Sequence, residues 1–197
     1  MFFDVAGLLT TVGYIGFFTI IFAESGVLVG FFFPGDSLIF TAGFLASRGI
    51  FDIAAILALG FLGAVLGDNF GYAFGRKIGP KIFKKEDSFF FNKKHITSAQ
   101  LFYEKHGRQT VILARFIPLI RTFAPILAGV GQMKYSVFLV YNLVGGFIWV
   151  FSLALLGFYF GNSIPNADQY ILPIALFIII FSVLPTLIHI WRTWRKK

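Results

Sequence analysis

Four charged residues stand inside apolar sequence: Glu24, Asp36, Arg115 and Arg121. Ionisable groups at membrane depth are costly and usually functional. A carboxylate withdrawn from water favours its protonated form, so Glu24 and Asp36 are expected to take up and release a proton. A guanidinium stays charged and forks onto phosphate oxygens, so Arg115 and Arg121 are expected to hold an anionic phosphate group. Together they describe a proton-linked carrier of a phosphate-bearing molecule. The opposing reading is structural, with Arg121 satisfying Asp36 and locking the fold. One pair would suffice for that, and the sequence offers two residues of each sign. Asp68 reads either as a satisfied helix-end charge or as the lining of an exit. Pro34, Gly35, Pro118, Pro125 and Asn142 stand where a cavity around these charges would be lined.

Such residues need elements that hold them in lipid, and composition supplies them. Hydrophobic residues make up 57% of the 197, charged residues 13%, and mean hydropathy is +0.81. Soluble domains run nearer a quarter charged, so too little polar surface exists here to solvate a globule. The 21 glycines fit close helix packing in a bilayer. With no cysteine, disulfide and thiolate chemistry are excluded. The start, Met1-Phe2-Phe3-Asp4, lacks the basic region of a cleaved signal peptide, so the first apolar stretch is expected to be kept as a helix.

Spans of roughly 20 apolar residues cross a bilayer. Four are predicted: Leu8–Val29, Ile53–Phe74, Phe138–Phe160 and Tyr170–Trp191, the last with Pro173 and Pro185 expected to bend it. The net charge of +8 is concentrated. Nine Lys/Arg against three Asp/Glu fall between Arg76 and Arg108, and Arg192, Arg195, Lys196 and Lys197 close the chain. The loop Asn162–Gln169 has no basic residue. The positive-inside rule puts both basic clusters, and both termini, in the cytoplasm of a multi-pass membrane protein. Two further apolar stretches, Phe31–Arg48 and Thr110–Gln132, are broken by proline, glycine and charge. They are read as re-entrant hairpins, since broken backbone at that depth must be buried in protein or face water.

The chain also repeats itself. At an offset of 86, Ala42-Gly43 matches Ala128-Gly129, Gly60-Phe61 matches Gly146-Phe147, and Gly71, Phe74 and Gly75 match Gly157, Phe160 and Gly161. With Leu57/Leu143 and Ile78/Ile164 these make nine identities in 37 aligned positions, enough to predict a hairpin-plus-helix unit used twice. Opposite orientation of the two helices makes the repeat inverted, a transporter architecture. The expected fold is all-α: an inverted repeat of re-entrant hairpin plus transmembrane helix, with about four full spans and two hairpins. In a single membrane domain, residues 8–75 hold the first helix, outer hairpin and second helix, and 76–108 form a basic cytoplasmic segment. Residues 110–161 hold the inner hairpin and third helix, and 170–191 the C-terminal helix. Within the basic segment, Asn92 is placed to cap a surface helix that Gly107 ends.

Phe33-Pro-Gly-Asp-Ser-Leu38 and the run from Arg115 to Gly129, with Pro118, Arg121 and Pro125 inside it, resemble the motifs of the DedA family, also called SNARE-associated or VTT-domain proteins. Glu24, Gly67-Asp68, Gly71-Tyr72, Gly75-Arg76, Phe102–Gly107, Met133–Asn142, Gly146 and Trp149 extend the likeness over about residues 10–160. The family commonly has glycine after the proline of the arginine motif; Leu119 stands there, leaving both arginines in place. The resemblance implies a bacterial inner-membrane protein of lipid transport, with undecaprenyl phosphate or a phospholipid such as phosphatidylethanolamine as the moved lipid, and dependence on the proton motive force. It implies that the matching acidic and arginine positions are required. Eukaryotic relatives are lipid scramblases.

Other functions fare worse. His95, His106 and His189 do not cluster, so neither a histidine-nucleophile phosphatase nor a metal site is expected. No enzyme activity, cofactor, metal or nucleic-acid partner is expected. The partners expected are a lipid phosphate headgroup and protons; a homodimer is compatible with the sequence but not fixed by it. A proton-coupled small-solute or cation antiporter, an uncoupled scramblase and a non-transporting assembly protein are the competing readings.

Overall fold

A computed structural model describes residues 5–27, 34–82, 112, 115, 118–163 and 173. The described residues form five helices and no strand. They are α1 (Val5–Gly26), α2 (Gly35–Ser47), α3 (Ile53–Ile82), α4 (Pro118–Val130) and α5 (Tyr135–Ser163). Three carry runs long and apolar enough to cross a bilayer, Leu9–Gly26, Ile53–Ile78 and Tyr135–Ser163. These answer to the first three predicted spans. The fourth, Tyr170–Trp191, lies outside the described residues apart from Pro173, as do Asn92 and Gly107. One boundary differs. The basic segment was expected to begin at Arg76, but α3 continues to Ile82, so Arg76 and Lys77 are helical. Long basic side chains can extend from a helix end to water, so the charge does not stop the helix.

The outward surface of α3 carries Leu62, Leu66, Phe70 and Phe74, all at least two-fifths exposed and four residues apart. That spacing puts them on one helix face. An exposed apolar stripe of this length calls for lipid rather than water. Glu24, Asp68 and Arg115, by contrast, are buried.

The helices pack in two groups. The first holds α1 to Ile20, α2, α3 to Phe61 and α5 from Val150. Its centre is α2, where Gly35 and every residue from Ser37 to Ala46 is buried. At 1.5 Å per residue its 13 residues reach roughly 20 Å, short of a roughly 30 Å hydrocarbon core. Glycine lets α2 lie directly on α5. A methyl group added at Gly43 would overlap the Ala154 carbonyl, and one at Gly157 the Phe40 carbonyl. Phe160 packs its ring 5.9 Å from that of Phe40 and 6.4 Å from that of Phe44. The helix ends in a Schellman turn: Gly49, at φ 74°, donates to Ala46 O, and Ile50 donates to Leu45 O. Asp52 then starts α3, its side chain accepting from Ala55 N at 2.7 Å.

The second group holds α1 from Ile21, α3 from Leu62, α4, and α5 to Trp149. Here the 13-residue α4 lies on α3. Added methyls at Gly75 and Gly129 would overlap the carbonyls of Ile126 and Tyr72. Helix α4 also ends in a Schellman turn, with Gln132 donating to Gly129 O and Met133 to Ala128 O. The left-handed position is taken by Gln132, φ 54°, where glycine is usual. Tyr72, Ala128 and Phe138 form the apolar core, the Tyr72 and Phe138 rings stacked at 4.5 Å.

Candidate functional site

Four charges meet inside the second group, and glycine is what admits them. The end of α1 crosses α3 with backbone against backbone. A methyl at Gly26 would run into the Gly67 carbonyl at 2.6 Å, and one at Gly67 into that of Phe22 at 2.5 Å. Glu24 and Asp68 each sit within two residues of that crossing. Both are buried, at 2% and 4% exposed.

Glu24 occupies the last turn of α1 and Arg121 the first turn of α4. Each is at the helix end whose dipole disfavours its charge. They answer each other: Arg121 Nη2 forms a charge-assisted hydrogen bond to Glu24 Oε1. The Arg121 guanidinium also lies 4.8 Å from the centre of the Trp149 ring, a cation–π contact. Pro125 lies one turn further along α4. It has no N–H to give to the carbonyl four residues back, which is that of Arg121.

Arg115 precedes α4, its backbone N–H closing a turn onto Ile112 O at 3.1 Å. Its Nη2 donates to Asp68 Oδ2 and to Asn142 Oδ1. Asn142, wholly buried, is oriented by donating from Nδ2 to Val65 O at 3.1 Å. The stem of Arg115 lies against α5 at Gly145, where an added methyl would come within 2.9 Å of its Cδ. A side chain there would push the guanidinium away, so Gly145 is part of the seat. Arg115 Nε and Thr122 Oγ1 are buried with no hydrogen-bond partner among the described residues. With every member ionised, two guanidinia balance two carboxylates.

Thus Glu24 joins Arg121, and Arg115 joins Asp68 and Asn142. Asp68, expected as a helix-end charge or exit lining, is satisfied by a specific partner from distant sequence. Asn142 has a definite task as acceptor and anchor. Asp36 is half-buried in the first turn of α2, where the dipole favours an acid, and belongs to the first group with Pro34 and Gly35. Pro125 is buried in α4; Pro118 is its first residue. The chemical weight of Gly145 and Trp149 was not read from the residues. The Gly145-Gly146 doublet in α5 was the available signal, because paired glycines in a long apolar helix mark something large passing close.

The VTT domain family model matches residues 33–159. The chain belongs to the DedA family. It is 44% identical over 178 residues to an uncharacterised membrane protein of Mycobacterium leprae, covering 90% of this chain and 79% of that one. It is 41% identical over 177 residues to protein DedA of Escherichia coli, covering 89% and 80%. The inner membrane protein YqjA of Escherichia coli is 28% identical over 187 residues, covering 91% and 84%. No solved structure matches the chain. The likeness to membrane proteins and the apolar helices agree that this is a membrane protein. Asp36, Asp68, Arg115, Arg121 and Asn142 lie within the matched DedA-family region, and Glu24 lies just before it.

Proposed function

We propose that this DedA-family member is a flippase that carries a phosphate-bearing lipid between leaflets with proton coupling. Undecaprenyl phosphate, or a phospholipid such as phosphatidylethanolamine, is the lipid its family resemblance favours. The observation that carries the reading is the pairing of two inward-facing arginines with carboxylates inside an apolar helix group. A phosphate offers Arg115 and Arg121 the same oxygen geometry that Asp68 and Glu24 offer them.

Charge balance gives the coupling a cause. An anion entering a neutral, water-poor constellation adds uncompensated charge, which is costly in a low dielectric. Protonating the carboxylate it displaces offsets one unit of that charge. Phosphate and proton are therefore bound together, and Asp68 joins Glu24 and Asp36 as a proton carrier. The shortness and burial of α2 support the outer re-entrant hairpin of an inverted repeat, and the shortness of α4 supports the inner one. Pro34, Gly35, Pro118, Pro125 and Asn142 then line the path. In this reading no covalent bond of the lipid is broken.

Reconstituted vesicles with a headgroup-accessibility assay and an imposed pH gradient test this. Headgroup movement is expected to accelerate with the gradient and to fall at least tenfold in Arg115→Ala and Arg121→Ala. Unchanged transport in both would sink the phosphate clamp. Movement indifferent to the gradient would leave an uncoupled scramblase, and proton flux driven by a small solute without lipid movement would make the protein an antiporter.

A further inference from the structure

Outside the buried constellation, the second group has a cleft of about 490 Å3 lined by Asn69, Tyr72, Ala73, Arg76, Lys77 and Tyr135. It lies at the end of the apolar run of α3, which closes at Ile78, and at the first residue of α5. Tyrosine and basic residues at the end of a span belong to the membrane–water boundary. The cleft therefore opens at the depth of lipid headgroups.

Its cation is fixed in place. Arg76 Nη1 donates to the Tyr72 hydroxyl at 2.7 Å, and its guanidinium lies 5.9 Å from the centre of the Tyr72 ring. The Tyr72 hydroxyl hydrogen is spent on Met133 O, at 2.5 Å, so its lone pair is what receives Arg76. Tyr72 is buried, so the platform is rigid. One N–H of five is used, and among the described residues no carboxylate pairs with Arg76 or Lys77. The Tyr135 ring stands 5.7 Å from that of Tyr72 and is half-exposed. Asn69 is held to the wall of the cleft, its Nδ2 donating to Val65 O at 2.7 Å. Flanking the cleft face by helical spacing are the exposed rings of Phe70 and Phe74.

We propose that this cleft binds the phosphate of an anionic phospholipid in the adjacent leaflet. The match is to both halves of such a molecule. Two cations meet the head, and Phe70, Phe74 and the rest of the exposed stripe run alongside the chains. A free anion would use the cations alone. The site stands on the membrane insertion of α3 and does not rest on the transport reading.

The full-length protein in mixed micelles, titrated with phosphatidylglycerol or phosphatidylcholine and read by native mass spectrometry, tests this. Wild type is expected to retain one phosphatidylglycerol per chain, and several-fold less phosphatidylcholine. Arg76→Gln is expected to weaken retention about tenfold and Lys77→Gln about threefold. Lys77 is exposed, so its variant reports on binding without threatening the fold. Equal retention of the two lipids, or undiminished retention in both variants, would overturn the proposal. Complete displacement by millimolar inorganic phosphate would make the site a free-anion site and overturn the lipid assignment. The same samples carry the transport assay. Retention without movement would count against the flippase alone, and movement with retention unchanged in Arg76→Gln would count against this site alone.

Discussion

The two helix groups are built alike and filled differently. Each rests a 13-residue helix on a long one through glycine-to-carbonyl contacts, Gly43 and Gly157 in the first, Gly75 and Gly129 in the second. Each short helix then turns through the same C-terminal motif into the next element. Among the described residues, the interior of the first is apolar apart from the small hydroxyls of Ser37, which bonds Pro34 O at 2.9 Å, and Thr41. The second encloses two carboxylates and an arginine paired with one of them. Since the described residues of the first group pack the same short-helix plan with no fully buried charged side chain, the charges of the second group are not what makes the short helix stay. They are retained at a cost in desolvation, and function is the natural reason.

The largest way to break that comparison is to unpair one charge. Arg115→Gln should destabilise the protein by about 3–5 kcal/mol, because Asp68 is left buried without its partner. Thermal unfolding in detergent measures it. The double variant Arg115→Gln/Asp68→Asn should recover most of that loss yet remain inactive in vesicles. A double variant that transports normally would reduce the pair to a structural lock. Next come the glycine contacts. Gly43→Ala and Gly129→Ala should each cost about 1–3 kcal/mol, since a carbonyl cannot move aside cheaply. If only one of them is harmful, the two crossings are not equivalent. The smallest effect concerns the turns. Gln132→Gly should stabilise by about 0.5–1 kcal/mol by relieving a left-handed residue, whereas Gly49→Ala should destabilise by a similar amount.

Much of this plan was legible from periodicity and glycine. Three spans stand close to where the hydropathy put them, and the short broken stretches became short helices. The repeat predicted that Gly43 and Gly129 play matching parts, and Phe40 and Ile126, 86 apart, each meet a glycine of a long helix. What could not be read was partnership. A sequence shows that Arg115 must be neutralised, but Asp68 and Asn142 are 47 and 27 residues away. Their meeting depends on how three helices cross, which no local pattern encodes. Arg76 shows the same limit: a basic residue at the end of an apolar run looks like a topology signal, and only the fold reveals the tyrosine beneath it.

Pro125 has a mechanical consequence. Because it has no N–H to give, the turn of α4 that carries Arg121 lacks one bond of the regular helical ladder and is the easiest part of that helix to bend. Replacing Pro125 by alanine would add a donor to that turn and stiffen the seat of Arg121 while leaving its guanidinium untouched.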